Sequence, residues 1–223
     1  MLIGNDQGEQ HAMEAMTMPD HAGTERLGLD RLIFFSDAVF AIAITLLALD
    51  LNVPPNLEGI DDERLLRLLL ALTDDIIAFV TSFCVIALFW IGHHAKFRSI
   101  ARYDSTLLWL NMLLLMTIAF IPFPTRVMSD YYTSTSTIFY AVTIAISGIL
   151  TAVIDFYVVH KNRLADPGSM LHLYSQHRWL MLSTPIIFLI SIPVAYFSPG
   201  LGRLVWLLLI PMAILKARMR SEG

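Results

Sequence analysis

The chain has 223 residues, of which 56% are hydrophobic and only 15% charged, with a formal net charge of −4. A mean hydropathy of +0.64 is too high for a soluble domain of this size, and the slightly acidic balance offers nothing to a nucleic acid. A single polytopic membrane domain is the class that remains.

The first 29 residues mix Gly, Asp, Glu, His and Met without a sustained apolar run and are expected to form a mobile cytoplasmic tail. They lack a basic segment followed by an apolar stretch and a small-residue cleavage site, so no cleaved signal peptide is expected and the first crossing directs insertion. Residues 30–220 are then expected to form the membrane domain, all-α, with no separate soluble part. A helix needs roughly 20 apolar residues to cross about 30 Å of hydrocarbon. Six stretches qualify or nearly qualify: Arg31–Asp50, Ile76–Gly92, Ser105–Thr125, Tyr131–Ile154, Trp179–Gly202 and the shorter Leu201–Leu215. The last carries Arg203 near its start and Pro211 inside, and relies on Lys216 and Arg218 snorkelling.

Pro54-Pro55 is expected to break the first helix, Pro122 and Pro124 to close the third, and Pro167-Gly168 to mark the loop before the fifth. Between the first two crossings lies an acidic stretch containing Glu58, Asp61, Asp62, Glu63, Asp74 and Asp75, expected to be a solvated amphipathic loop helix or a mouth that concentrates cations. The lone cysteine, Cys84, falls in the second crossing, where a buried apolar thiol is expected. Assigning alternate sides from the first crossing places eleven of the Lys and Arg residues on one side and four, Arg64, Arg67, Arg126 and Arg203, on the other. The positive-inside rule therefore predicts both termini in the cytoplasm.

The first crossing is unusual because Arg31 and Asp37 fall at its start, and an ionisable group at membrane depth points to function or to a buried polar lock. At about 100° per residue, Ile42, Leu46 and Leu49 fall within about 60° of one another, with Thr45 beside them, while Ser36 and Asp37 point elsewhere. Arg31 and Asp37 are six residues apart, so they do not form an i,i+4 pair and Asp37 needs partners from other helices. The expected donors lie at the corresponding end of the second crossing, in Leu88-Phe-Trp-Ile-Gly-His-His-Ala-Lys-Phe97, where His93 and His94 stand at the depth of Asp37 and imidazole or indole hydrogen bonds can hold the carboxylate. Adjacent histidines on a helix diverge, and no HExxH or paired-cysteine spacing occurs, so a metal site is not expected. Asn111, Ser147 and Ser183 are expected to hydrogen-bond between helices, Asp155 to pair with His177 or Arg178, and Trp90, Trp109, Trp179 and Trp206 to serve as belt or core aromatics.

The run Arg31-x-x-x-Phe35-Ser36-Asp37, continued by Ala-Val-Phe-Ala-Ile-Ala-Ile-Thr-Leu-Leu, resembles the RxxxFSD signature of the transmembrane protein 175 family, the endolysosomal and bacterial potassium channels. Phe89-Trp-Ile-Gly-His-His94 and the stretch from Trp109 to Thr125 are similar to its bacterial branch. The resemblance implies a six-helix subunit in a homotetramer of the cell membrane, with the first helices lining a pore for potassium and other monovalent cations. By family position, Ile42 is the hydrophobic constriction, Leu46 and Leu49 are further apolar rings, and Thr45 is a hydroxyl layer. Arg31, Phe35, Ser36 and Asp37, with His93 and His94, then form the structural lock. No cofactor is expected beyond the permeant ion. No TVGYG-like loop, arginine-repeat voltage sensor or nucleotide motif occurs, which leaves passive conduction by a hydrophobic gate. A secondary transporter of a cation or proton and a membrane-embedded enzyme using His93, His94 and Asp37 are the alternatives from other classes.

Overall fold

The computed structural model describes residues 21–52, 59–100, 102–160 and 178–214, and among these the chain is helical, with no strand. In chain order the helices are α1 (His21–Ala48), α2 (Asp62–Ala71), α3 (Thr73–Phe97), α4 (Ser105–Phe120), α5 (Pro122–Asp130), α6 (Ser134–His160), α7 (Arg178–Phe197) and α8 (Pro199–Val205). A single 3-10 turn, Trp206–Leu208, leads from α8 into helical residues 209–214. Four stretches are long and apolar enough to cross a membrane: Arg26–Ala48, Thr73–Phe97, Ser105–Asp130 and Ser134–His160. Leu182–Phe197 and Pro199–Ile214 are apolar but shorter. Large apolar side chains stand exposed along every one of these helices, which a soluble monomer does not tolerate. The chain is a multi-pass helical membrane protein.

Three boundaries differ from the sequence expectation. Helix α1 begins at His21, inside the stretch expected to be tail, because nothing between His21 and Asp30 breaks a helix; residues 1–20 lie outside those described. It ends at Ala48, where the backbone tightens and Asn52 Nδ2 donates to the Leu49 carbonyl at 2.8 Å. This stop precedes Pro54-Pro55, which fall outside the described residues, as does Pro167-Gly168. Pro122 and Pro124 do not close the third crossing. Ile121 keeps helical angles, φ −53° and ψ −39°, and Pro122 opens α5, so α4 and α5 make one crossing with a break at residue 121. A proline is tolerated at the first turn, where its missing N–H has no partner to lose.

Helix α2 has the expected amphipathic character. Asp61 Oδ1 caps it by accepting from the Arg64 amide at 2.8 Å, Arg67 pairs with Glu63 at 2.8 Å, and none of its residues is buried. Cys84 is exposed, not buried. It stands two residues from the buried Ser82, about 200° round the helix.

Helix α1 packs on α3 and α4, α6 on α4 and α7, and α8 folds back on α7. Interior hydroxyls answer one another across these seams, as they must where no water reaches. Thr125 Oγ1 donates to Ser82 Oγ at 2.9 Å, Ser82 Oγ to Tyr140 Oη at 3.1 Å, and Ser147 Oγ to Thr117 Oγ1 at 2.9 Å. Each end of the bundle is closed by charge. At one end Lys96 pairs with Asp155 inside the protein, and Asp104 accepts from Tyr157 at 2.6 Å. Lys96 is thus a partner of Asp155 that was not anticipated, while the expected partners His177 and Arg178 have side chains outside those described. At the other end Arg203 donates to the Met128 carbonyl at 3.0 Å and to Thr137 Oγ1 at 3.3 Å, and lies 4.5 Å from the Tyr132 ring centre.

Two glycines set the spacing of the α6, α7 and α8 layers. A Cβ at Gly148 would stand 2.8 Å from Pro185 Cδ, and one at Gly202 would stand 2.6 Å from Ala195 Cβ. Small residues at such crossings let backbones approach closely. Gly148→Leu and Gly202→Leu are each expected to destabilise the fold by about 1 to 3 kcal/mol through overpacking, read as a lower melting temperature in detergent; unchanged melting would refute the contact.

Candidate functional site: the first helix and its polar lock

The two sides of α1 have opposite fates. Leu29, Leu32, Ser36, Phe40, Ala43 and Leu47, spaced three or four apart, are buried, as a single helical stripe must be. Round the axis, Phe34, Ile42, Leu46 and Leu49 are 73%, 58%, 39% and 68% exposed, and Thr45 is exposed as well. No charged residue interrupts the run between Asp37 and Asp50. Thr45 Oγ1 donates to the Ile42 carbonyl at 2.9 Å.

On the buried side a directed chain of hydrogen bonds joins three helices. His93 Nε2 and Asn111 Oδ1 are 2.8 Å apart, Asn111 Nδ2 donates to Ser36 Oγ at 3.0 Å, and Ser36 Oγ donates to the Leu32 carbonyl at 2.8 Å. Because the Asn111 oxygen must accept while its nitrogen donates, the proton of His93 is assigned to Nε2. The other ring nitrogen makes no hydrogen bond among the described residues and sits among aromatics, with Phe97 stacked at 4.1 Å and Phe40 at 5.4 Å between ring centres. Ser36, His93 and Asn111 are all buried.

Asp37 belongs to a second, wetter set. Trp90 Nε1 donates to its Oδ1 at 2.8 Å, and His94 Nδ1 is 3.9 Å from its Oδ2, within ion-pair reach but too far for a hydrogen bond. The rings of Trp90 and His94 lie 5.4 Å apart on successive turns of α3. The two sets occupy neighbouring faces of α3 because residues 90 and 94, like 93 and 97, are one turn apart.

The expected partners are therefore met in part. His94 faces Asp37, but His93 turns to Asn111, and the donor to the carboxylate is the indole of Trp90, within the segment expected to supply it although belt or core packing was the reading for Trp90 itself. Asn111 and Ser147 do bond between helices as anticipated, Ser183 is buried, and Trp206 is a core residue whose Nε1 donates to Ser191 Oγ at 3.0 Å. Trp109 is exposed, and the Trp179 side chain lies outside those described. Arg31 and Phe35 are exposed, and Arg31 makes no ion pair among the described residues. No group of three or more metal-ligating side chains occurs among the described residues.

Removing one member of a buried chain strands the others. Asn111→Ala is expected to cost about 1 to 3 kcal/mol, since it leaves the His93 N–H unmet; equal melting temperatures for variant and parent would refute the chain. Asp37→Ala is expected to lower the yield of folded oligomer. It should show little added effect in a Trp90→Phe background, whereas fully additive losses would separate the two residues.

Comparison with known proteins bears on the same helices. A family profile described as the endosomal/lysosomal potassium channel TMEM175 matches residues 31–122, which run from the start of the charged motif through the lock to the break at Pro122. A potassium channel of Chamaesiphon minutus is 44% identical over 101 residues, covering 45% of this chain and 49% of that protein. The chain thus matches about half the length of this curated relative. The human endosomal/lysosomal proton channel TMEM175 is 27% identical over 199 residues, covering 86% of this chain and 38% of that one. The crystal structure of a lysosomal potassium-selective channel TMEM175 homolog from Chamaesiphon minutus superposes with a TM-score of 0.73 at 28% identity, covering 85% of this chain and 97% of that one. Signature and helix arrangement are thus similar to those of the TMEM175 channels, by sequence over residues 31–122 and by fold over 85% of the chain.

Proposed function

We propose that this protein is a potassium-permeable cation channel in which four copies surround a pore lined by α1. The observation that carries the reading is the uncovered, charge-free stripe of Ile42, Thr45, Leu46 and Leu49 on a helix whose opposite side is locked to α3 and α4. An apolar helix face inside a bundle is covered; this one is left free along the part of α1 beyond the lock. Of the four longest apolar stretches, that of α1 has the smallest buried share, 28%, against 50% for α6, as suits a helix whose missing neighbours are other copies of itself. The potassium channels named above support the choice of ion.

In this reading each subunit crosses the cell membrane six times, the fifth and sixth crossings being formed by α7 and by the helix from α8 onward. Both termini are cytoplasmic, and the lock lies toward that side. Ile42 forms the narrowest ring, which blocks ions by dewetting when closed and admits them when widened. Leu46 and Leu49 extend the apolar path, and Thr45 hydroxyls replace part of the hydration shell. Ser36 and Asp37 hold α1 in register within the subunit, with His93 and His94 on α3, and the exposed Arg31 and Phe35 complete the lock in the assembled channel. Conduction is passive and runs down the gradient.

Purified protein in liposomes is expected to pass potassium down an imposed gradient without added energy; flux no greater than in empty liposomes, at several pH values, would defeat the proposal. Ile42→Asn is expected to raise conductance by wetting the constriction, and an unchanged current would remove Ile42 from the pore. Cross-linking that returns only monomers would exclude a shared pore.

A further inference from the structure

We propose that Arg126 sets the charge at one mouth of the conduction path and thereby the rate at which cations enter from that side; the inference rests on the pore reading above. Asp50 follows Leu46 by four residues and Leu49 by one, so it stands one turn beyond Leu46 at the end of the apolar stripe and is the first ionisable residue after Asp37 along the chain. Arg126 Nη1 donates to Asp50 Oδ1 at 3.1 Å, and Arg126 Nε lies 3.5 Å from Asp130 Oδ2. One guanidinium is thus shared by two carboxylates.

The arrangement depends on the break at residue 121. Helix α5 starts afresh at Pro122 and packs against α1, so its first turns bring Arg126 to the end of the pore helix. The Arg126 side chain is 57% exposed and that of Asp50 27%. An ion pair so wet adds little to stability. Its charge, by contrast, is felt by any ion within a Debye length, about 10 Å at 0.1 M salt. Four carboxylates around a mouth raise the local cation concentration, and four guanidinium groups beside them offset it. In each subunit the trio of Asp50, Arg126 and Asp130 leaves one net negative charge. Removing Arg126 doubles that charge; removing Asp50 abolishes it; removing both restores it.

The sign of each change makes the idea testable in planar bilayers holding the full-length protein, with potassium salt varied only on the Asp50 side. Arg126→Gln is expected to raise current entering from that side about two- to three-fold at roughly 10 mM salt, and to lose the effect near 1 M, where the Debye length is about 3 Å. Asp50→Asn is expected to lower the same current by a similar factor. The Asp50→Asn/Arg126→Gln pair moves it back toward the parent. A rise that persists at high salt, a rise equal from both sides, or a double variant no different from Arg126→Gln would overturn the proposal. If Arg126→Gln yields no folded oligomer, the opposite-signed loss in Asp50→Asn and its reversal in the double variant carry the test, and their absence refutes it. Should Ile42→Asn alter the current while none of these variants does, the mouth inference falls and the pore stands; a parent protein without flux overturns both.

Discussion

The amide of Asn111 is the point on which the first helix turns. In hydrocarbon a polar side chain has no water to fall back on, and Asn111 meets that constraint by accepting from His93 on α3 and donating to Ser36 on α1. The bond to Ser36 is made at one rotation of α1 only, since a turn of one residue moves Ser36 about 100° away. That rotation buries Phe40, Ala43 and Leu47 and leaves Ile42, Leu46 and Leu49 uncovered. A polar contact near one end of the helix thus decides which apolar residues, two to four turns away, are free to meet another copy of the chain.

Helix α6 does for the rest of the subunit what Asn111 does for α1. Its buried or half-buried polar residues, Ser136, Tyr140, Thr143, Ser147, Thr151 and Asp155, recur every three or four positions along one side. They meet α3 and α4 in turn: Tyr140 through Ser82, Ser147 through Thr117, and Thr151 and Asp155 through Lys96. Single hydrogen bonds between membrane helices are worth about 0.6 kcal/mol on average. Spread along a whole helix, they specify register where apolar packing alone is permissive. The Lys96 and Asp155 pair, shielded from water, is a means of fixing α3 against α6 at one depth, because a buried charge left without its partner is strongly disfavoured.

Much of this was legible in the chain. Apolar runs located the four long crossings, and the misplaced charges drew attention to α1 and the residues it needed from α3. What escaped was mainly helical phase. In a soluble helix polar residues mark the outer face, but Thr73–Phe97 is apolar on the core side and the lipid side alike, so its pattern carries no phase. That is why Cys84 was expected inside and stands outside, and why the segment holding the donors to Asp37 was found but His93 could not be told from Trp90 as the one that reaches it. The pairing of Asp155 with Lys96 required knowing that α3 and α6 are neighbours, which no local signal encodes. Pro122 was read as an end because proline terminates and kinks helices by the same loss of an N–H, and only the continued helical angles of Ile121 tell the two apart.

The hydroxyl of Thr45 has one proton, and that proton is committed to the carbonyl of Ile42 in its own helix. What the oxygen can turn outward is therefore lone-pair density alone. In the proposed pore a ring of such oxygens offers a dehydrating ion acceptors but no donors: it welcomes positive charge and gives an anion nothing to bind. Valence discrimination would then arise from the direction of a single local hydrogen bond, without a fixed charge anywhere along the apolar path.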